Sequence, residues 1–236
     1  MNPSKDAPFD GVLLDLYGTL VPAGPRPRRA GHLHQMARIL GADPVAFEQD
    51  WVQSLAERVL GSLGTLEQTI EAIAARQGVS PAPDAIQDAT AVRLAFSRSL
   101  LDACQPVLPA LDALSAAGLR LAVVSDCSEE PARLWPTTHL GERIRTCVFS
   151  CVEGLCKPDP RMYQRALERL GLPADRCAFV GDGGSRELTG ATAAGLAAHL
   201  YRFPGDDAGP DARYDPDTAW TGPPLRDLRD LLAARR

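Results

Sequence analysis

Residues 11–20, GVLLDLYGTL, open with a short apolar run that ends in an acid, Asp15, and turn at once through Tyr17-Gly18-Thr19. A run of this kind reads as a strand buried on both faces. Four further runs resemble it: 119–124 (LRLAVV), 147–150 (CVFS), 178–181 (AFVG) and 197–201 (AAHLY). Helical stretches at 107–117 and 187–194 lie among them. Near-continuous apolar strands separated by helices predict a doubly wound, Rossmann-like parallel sheet.

Between the first two runs lie roughly eighty residues, far more than one crossover needs. They read as four helices, 28–40, 44–60, 66–76 and 84–104, broken at Gly41, at 61–64 and at 78–83, with Asp43, Thr65 and Asp84 as N-caps. The excess predicts an inserted helical cap domain over 23–104, hinged at 21–25 and 103–106, on a core formed by 1–22 and 105–236. The Gly-, Pro- and Asp-rich stretch 203–224 has no periodicity and reads as a surface excursion with solvated aspartates, before a last helix at 225–234.

The 236 residues are 45% hydrophobic and 23% charged, enough to bury a core without disulfides or a structural metal. A net charge of −5 excludes nucleic-acid backbone binding as the main function. No segment has the length of apolar sequence a membrane span requires, and the first eleven residues lack the apolar centre of a secretion signal. Six cysteines without a CxxC pair fit a reduced, cytoplasmic compartment; Cys147, Cys151 and Cys156 have no nearby histidine with which to build a metal site. Of 25 Lys and Arg residues only Lys5 and Lys157 are lysine. Lys5 falls in a tail expected to be disordered, whereas Lys157 marks a place where a slim point charge is wanted and a planar guanidinium is not.

In such a sheet, chemistry gathers at the carboxyl ends of the strands. Those ends carry Asp15-Leu-Tyr17-Gly18-Thr19, Ser125-Asp126, Lys157-Pro158 and Gly181-Asp182-Gly-Gly-Ser185-Arg186-Glu187. Each alone has an ordinary structural use as a turn, a cap or a surface charge. Together they compose a reaction centre. The Asp15 carboxylate can attack an electrophile to give an aspartyl ester or phosphate. The Gly18-Thr19 turn is expected to offer backbone N–H groups to substrate oxygens, with Ser125, and Asp126 beside it, also facing the substrate. Lys157 offsets the negative charge. For a phosphorylated substrate Mg²⁺ is the natural partner, held by Asp15, the Tyr17 carbonyl oxygen and Asp182, with Glu187 acting through water or on the lysine.

This four-part set resembles the haloacid dehalogenase (HAD) superfamily with a C1-type helical cap, over residues 11–201. The resemblance implies that Asp15 is the nucleophile of the first motif, Ser125 the second motif, Lys157 the third, and Gly181-Asp182 with Glu187 the fourth. Tyr17 occupies a catalytic position. In the cap, Trp51 and Arg58 are the positions expected to face the substrate.

The motifs imply different reactions. Phosphatases of this superfamily usually have aspartate two residues after the nucleophile, to protonate the leaving alcohol; here that residue is Tyr17, and a phenol titrating near 10 exchanges protons poorly at neutral pH. Asp-x-Tyr-Gly-Thr resembles the metal-independent 2-haloacid dehalogenases, whose halide needs no proton. Gly181-Asp182 resembles the Mg²⁺-dependent phosphatases. Two carboxylates at Asp15 and Asp182 without a cation would spoil the nucleophile, so the fourth motif decides. The expectation is a Mg²⁺-dependent phosphatase acting on a small anionic metabolite with a good leaving group, or one that borrows an acid from His32, His34 or Glu57. The alternatives are a dehalogenase and a degenerate member that binds without turnover.

Overall fold

A computed structural model describes residues 9–23, 26–205 and 215–233. The expectations for Lys5, residues 24–25, Asp206, Asp207, Asp211 and Ala234 lie outside the described residues. Five strands form one parallel sheet: β1 (Gly11–Leu14), β2 (Arg120–Ser125), β3 (Thr146–Phe149), β4 (Cys177–Gly181) and β5 (Ala197–Leu200), in the order β3-β2-β1-β4-β5. Each lies within a residue or two of its expected position. β1 is central, and its apolar run is explained by burial on both sides. Val12 and Leu14 point into one core with Leu108, Leu111, Leu114, Leu140, Leu228 and Leu231. Leu13 points into the other with Met162, Tyr163, Ala166, Leu188 and Ala191.

The segment between β1 and β2 is helical and has a third core of its own, built from Leu33, Met36, Phe47, Trp51, Ile70, Ile73 and Ala89. It comprises α1 (Arg26–Leu40), α2 (Pro44–Gln53), α3 (Leu55–Val59), α4 (Leu66–Ala75) and α5 (Pro83–Leu101). Asp43 caps α2 through Val45 and Ala46, and Thr65 forms a capping box with Gln68 on α4, as their positions implied. Two expectations need correction. The helix expected over 44–60 breaks at Ser54, whose hydroxyl bonds back to the Trp51 carbonyl at 2.8 Å and competes with helix continuation. The N-cap of α5 is Ala82, not Asp84, because Pro83, with no N–H to satisfy, takes the first helical position. The expected hinge at 103–106 lies within a 3₁₀ turn, Asp102–Val107.

The remaining helices cover the sheet. They are α6 (Leu108–Ala116), α7 (Glu129–Leu134), α8 (His139–Arg143), α9 (Ser150–Glu153), α10 (Pro160–Leu170) and α11 (Glu187–Ala193). The last helix expected at 225–234 is instead a 3₁₀ turn, Leu228–Leu232, started by a capping box between Asp227 and Asp230. No helix among the described residues is long and apolar enough to cross a membrane.

Helical insert and core meet through α5, which packs on α7. Arg93 of α5 pairs with Glu130 of α7, Arg98 donates to the Thr137 carbonyl at 2.9 Å, and Arg133 pairs with Glu67 of α4 at 2.8 Å.

Candidate active site

The sheet register brings the sequence motifs to one edge. Leu14 pairs with Val123 on one side and Val180 on the other, so Asp15, Ser125 and Asp182 all emerge from the carboxyl ends of neighbouring strands. The Asp15 N–H is held by the Val180 carbonyl at 2.9 Å. Lys157 arrives from the loop before α10 and bridges two acids. Its Nζ lies 2.5 Å from Asp15 Oδ1 and 2.5 Å from Glu187 Oε2. The Lys157 backbone N–H is fixed by Asp126 Oδ1 at 2.9 Å. Asp126 also lines the cavity described below, so its carboxylate both positions Lys157 and borders that space.

Glycines make these approaches possible. Gly18 has φ +85°, and a Cβ there would lie 2.2 Å from Asp182 Oδ2. A Cβ at Gly181 would lie 2.1 Å from Glu187 Oε1. Both contacts would be prohibitive, so the two acids pack where only glycine leaves room. The expectation that the Gly18-Thr19 turn offers its amides to a ligand is corrected. Gly18 N–H bonds to the Val21 carbonyl at 2.7 Å and Thr19 N–H approaches the Leu16 carbonyl at 3.4 Å. Thr19 contributes instead through Oγ1, 3.4 Å from Asp15 Oδ2. Ser125 Oγ is buried with no hydrogen-bond partner among the described residues. A buried hydroxyl in that state is suited to receive a ligand atom.

The fourth strand-end loop is strained and externally braced. Ser185 and Arg186 have φ 52° and 46°, unusual for residues with side chains. Asp217 bonds Thr189 through both carboxylate oxygens, at 2.6 Å to the backbone N–H and 2.5 Å to the hydroxyl, while its own N–H reaches the Gly183 carbonyl at 2.8 Å. Asp215 pairs with Arg186 at 2.6 Å. These two aspartates, expected to be merely solvated, clamp the loop. Within it, Asp182 Oδ1 accepts from Gly184 N–H at 2.9 Å and Glu187 Oε1 from Gly183 N–H at 3.0 Å.

Oxygen atoms of Asp15, Asp182 and Glu187, all buried, lie within 4.8 Å of one another. Three acids against one ammonium leave an excess of buried negative charge. Burial, opposed by Lys157 and reinforced by Asp182, pushes the Asp15 carboxyl up to about 6. Burial and the Asp15 charge likewise push Glu187 well above the usual carboxylate range. Burial works against the Lys157 ammonium, but Asp15 and Glu187 more than offset it and raise its pKa. The donor set fits a hard divalent cation, which takes oxygen ligands and would offset the charge excess. Lys157 is shared between Glu187 Oε2 and Asp15 Oδ1, and the Gly183 N–H holds Glu187 Oε1, so the cluster already carries part of its own charge compensation.

Above these groups is a cavity of about 380 Å³, lined at the sheet by Asp15, Tyr17, Lys157 and Asp182 and at the cap by His32, Trp51, Arg58, Arg93 and Phe96. Trp51 and Arg58 both line this cavity. Arg58 stacks over the Trp51 ring at 4.7 Å. His32 lines the cavity, stacked on Phe96 at 3.7 Å, with Nε2 accepting from Arg93 at 2.7 Å. His34 and Glu57, the other proton donors considered, do not line it; they pair with Glu48 and Arg76 on the surface of the cap. Arg93 and Phe96 escaped sequence reasoning. A signal existed for Arg93, four residues from both Ala89 and Ser97 on the buried stripe of α5, where a charge is out of character.

A family model described as haloacid dehalogenase-like hydrolase matches residues 9–195. Over 201 residues the chain is 32% identical to a phosphoglycolate phosphatase of Rhodospirillum rubrum, covering 81% of this chain and 79% of that one. A 55-residue stretch is 46% identical to mouse Acyl-CoA dehydrogenase family member 10, of whose length it spans only 5%. Among solved structures, a HAD family enzyme from Bacteroides thetaiotaomicron in complex with magnesium and inorganic phosphate is similar at TM-score 0.62 and 16% identity, over 85% of this chain and 98% of that one. The L-2-haloacid dehalogenase of Xanthobacter autotrophicus with chloropropionic acid covalently bound is similar at TM-score 0.59 and 18% identity, over 95% and 97%.

Proposed function

The chain belongs to the haloacid dehalogenase-like hydrolase family, and from that premise we propose that it is a Mg²⁺-dependent phosphatase of a small phosphorylated metabolite with a good leaving group. The observation that carries this reading is the third buried acid. Asp182 stands beside Asp15 and Glu187 with Lys157, among the described residues, as the one neighbouring ammonium. A carbon–halogen hydrolase has no use for that surplus negative charge, whereas a cation-assisted phosphoryl transfer requires it.

In this reading residues 23–104 are the cap and 1–22 with 105–236 the catalytic core. Asp15 attacks phosphorus, its new O–P bond forming as the bond to the leaving oxygen breaks, and water later hydrolyses the aspartyl phosphate. Lys157 holds the nucleophile and offsets its charge, and is itself held by Glu187 and Asp126. Ser125 donates to a phosphoryl oxygen. Asp15, Asp182 and the Tyr17 carbonyl would hold Mg²⁺, which when bound would neutralise charge at the phosphoryl group. Tyr17 supplies no efficient acid, so leaving groups that need little protonation are favoured.

The test is phosphate release from an aryl or acyl phosphate and from an alkyl phosphate, with Mg²⁺ and with EDTA. Release that is faster on the former and abolished by EDTA is the expected result; equal rates, or indifference to EDTA, would overturn it. Tyr17 in the Asp-x-Tyr sequence favours one second reading, a 2-haloacid dehalogenase, for which chloride release from 2-chloropropionate in EDTA is the corresponding measurement.

A further inference from the structure

Two cysteines meet beside the strand-end groups. Cys127 follows Asp126 on the loop after β2, is buried, and lines the wall of the cavity. Cys151 lies in α9, half-buried, and packs against the same core. Their thiols hydrogen-bond to each other. Neighbouring groups hold the pair in place. Ser150 Oγ accepts from the Cys127 N–H at 2.9 Å and donates to the Cys127 carbonyl at 3.1 Å, and the Cys151 thiol donates to the Ser128 carbonyl at 3.4 Å. The two thiols are unequal. The hydrogen bond from Cys127 lowers the Cys151 thiol despite its burial, whereas burial raises Cys127 well above the ordinary thiol range. Burial also raises Cys104, Cys147, Cys156 and Cys177. Among the described residues, which include all six cysteines, Cys151 alone is biased towards the nucleophilic thiolate, and a second thiol stands next to it.

We propose that Cys127 and Cys151 form an oxidative modification site that takes a hydroperoxide and closes to a reversible disulfide, switching turnover off. The Cys151 thiolate attacks one oxygen of the hydroperoxide and the O–O bond breaks. The other oxygen takes the proton that Cys151 gave up and leaves as water or an alcohol, and Cys151 becomes a sulfenic acid. The Cys127 sulfur then attacks the Cys151 sulfur; the S–O bond breaks, and the hydroxyl leaves as water with the Cys127 proton. Two thiols lose two electrons and the hydroperoxide gains them; a dithiol reverses the change by exchange. Position gives the bond its effect. Asp126, next to Cys127 in the chain, holds the Lys157 N–H, and Lys157 lies six residues after Cys151. Joining the sulfurs covalently draws together the two segments that set Lys157 against Asp15. The loss of turnover rests on the phosphatase reading; the disulfide does not.

The experiment treats the full chain, with Mg²⁺, with hydrogen peroxide and blocks the remaining thiols. Tandem mass spectrometry of tryptic peptides is read beside phosphate release from an aryl phosphate. In wild type, peptide 121–133 is expected to be joined to peptide 146–161, with fragment ions placing the bond on Cys151 rather than Cys147 or Cys156. Turnover is expected to fall ~100-fold, as for a displaced catalytic group, and to return with dithiothreitol. Cys151→Ser should keep the reduced activity and lose both responses, and Cys156→Ser should keep both. Cys127→Ser should stop at a Cys151 sulfenic acid that dimedone traps. No Cys127–Cys151 peptide, a cross-link that leaves turnover unchanged, or an equal loss of turnover in wild type and Cys151→Ser overturns the proposal. A Cys127–Cys151 peptide from a chain that releases no phosphate even when reduced sinks the phosphatase reading and leaves the modification site standing. Phosphate release indifferent to peroxide, with no cross-link, does the reverse.

Discussion

The two ends of the cavity are built in different ways. At the sheet, Asp15, Asp126 and Asp182 each sit one residue beyond a strand and Ser125 ends one, so the strands' parallel register sets them side by side. Lys157 and Glu187 reach in from the loop before α10 and the start of α11. At the cap, Arg58, Arg93, His32 and Trp51 come from four helices, α3, α5, α1 and α2, and are aligned by stacking and ion pairing. The sheet end is negative and rigid by backbone geometry; the cap end is positive and depends on side-chain packing across the insert and on its contact with α7. A reaction shared by a family needs the first kind of construction, whereas discrimination among substrates can be carried by the second.

The sharpest break is at the sheet end. Asp15→Asn and Lys157→Met should each lower phosphate release by ~10⁴-fold or more while the protein still melts cooperatively, since a nucleophile and its counter-charge act as one unit. Turnover that persisted in either folded variant would remove the basis of the mechanism. Next is Gly18→Ala, which meets both a positive φ and the Asp182 carboxylate 2.2 Å away. It should reduce activity by ~100-fold or more and lower Tm. Gly41→Ala has a comparable φ of +74° but nothing within 4 Å, so it should show only the backbone cost of about 1 kcal/mol and retain activity. Equal behaviour of the two variants would show that Asp182's position is not held by Gly18.

At the cap end the expected effects are on stability and pH. Burial would raise the Glu130 carboxyl, but Arg93 holds it down at about 2, against an ordinary value of 4.5. A folded-state pKa below the unfolded one stabilises the fold above the unfolded pKa and ceases to do so as pH falls through the folded pKa. Glu130→Gln should therefore cost roughly 3 kcal/mol near neutral pH, with its Tm deficit against wild type shrinking between about pH 4.5 and pH 2. A deficit that stayed constant over that range would show that the charge pair is not its source. The smallest effect belongs to the clamp on the fourth loop: Asp217→Asn should slow turnover about fivefold, the equivalent of one hydrogen bond, with little change in Tm.

The same contrast decides what could be read from the sequence. β1 to β5 were legible because strands buried on both faces must be apolar throughout, and Asp15, Ser125 and Asp182 because they end or directly follow those strands. Asp43 and Thr65 were legible as caps because the capping bond is local. Arg93 was hidden because its role depends on Glu130, 37 residues away. The turn at Gly18 was identified, but not that its amides close on the turn itself. The break at Ser54 follows from one hydroxyl choosing the Trp51 carbonyl over solvent, a choice open to any helical serine. Asp215 and Asp217 were illegible because nothing near them marks a contact with a loop some thirty residues earlier.

That last contact bears on biosynthesis. Asp15 is translated long before the braces at 215 and 217, which follow every other part of the site. A nascent chain can assemble its sheet edge while the loop carrying Asp182 and Glu187 still lacks its outer support. In chain order, then, the outer support of that loop is the last part of the site to be added.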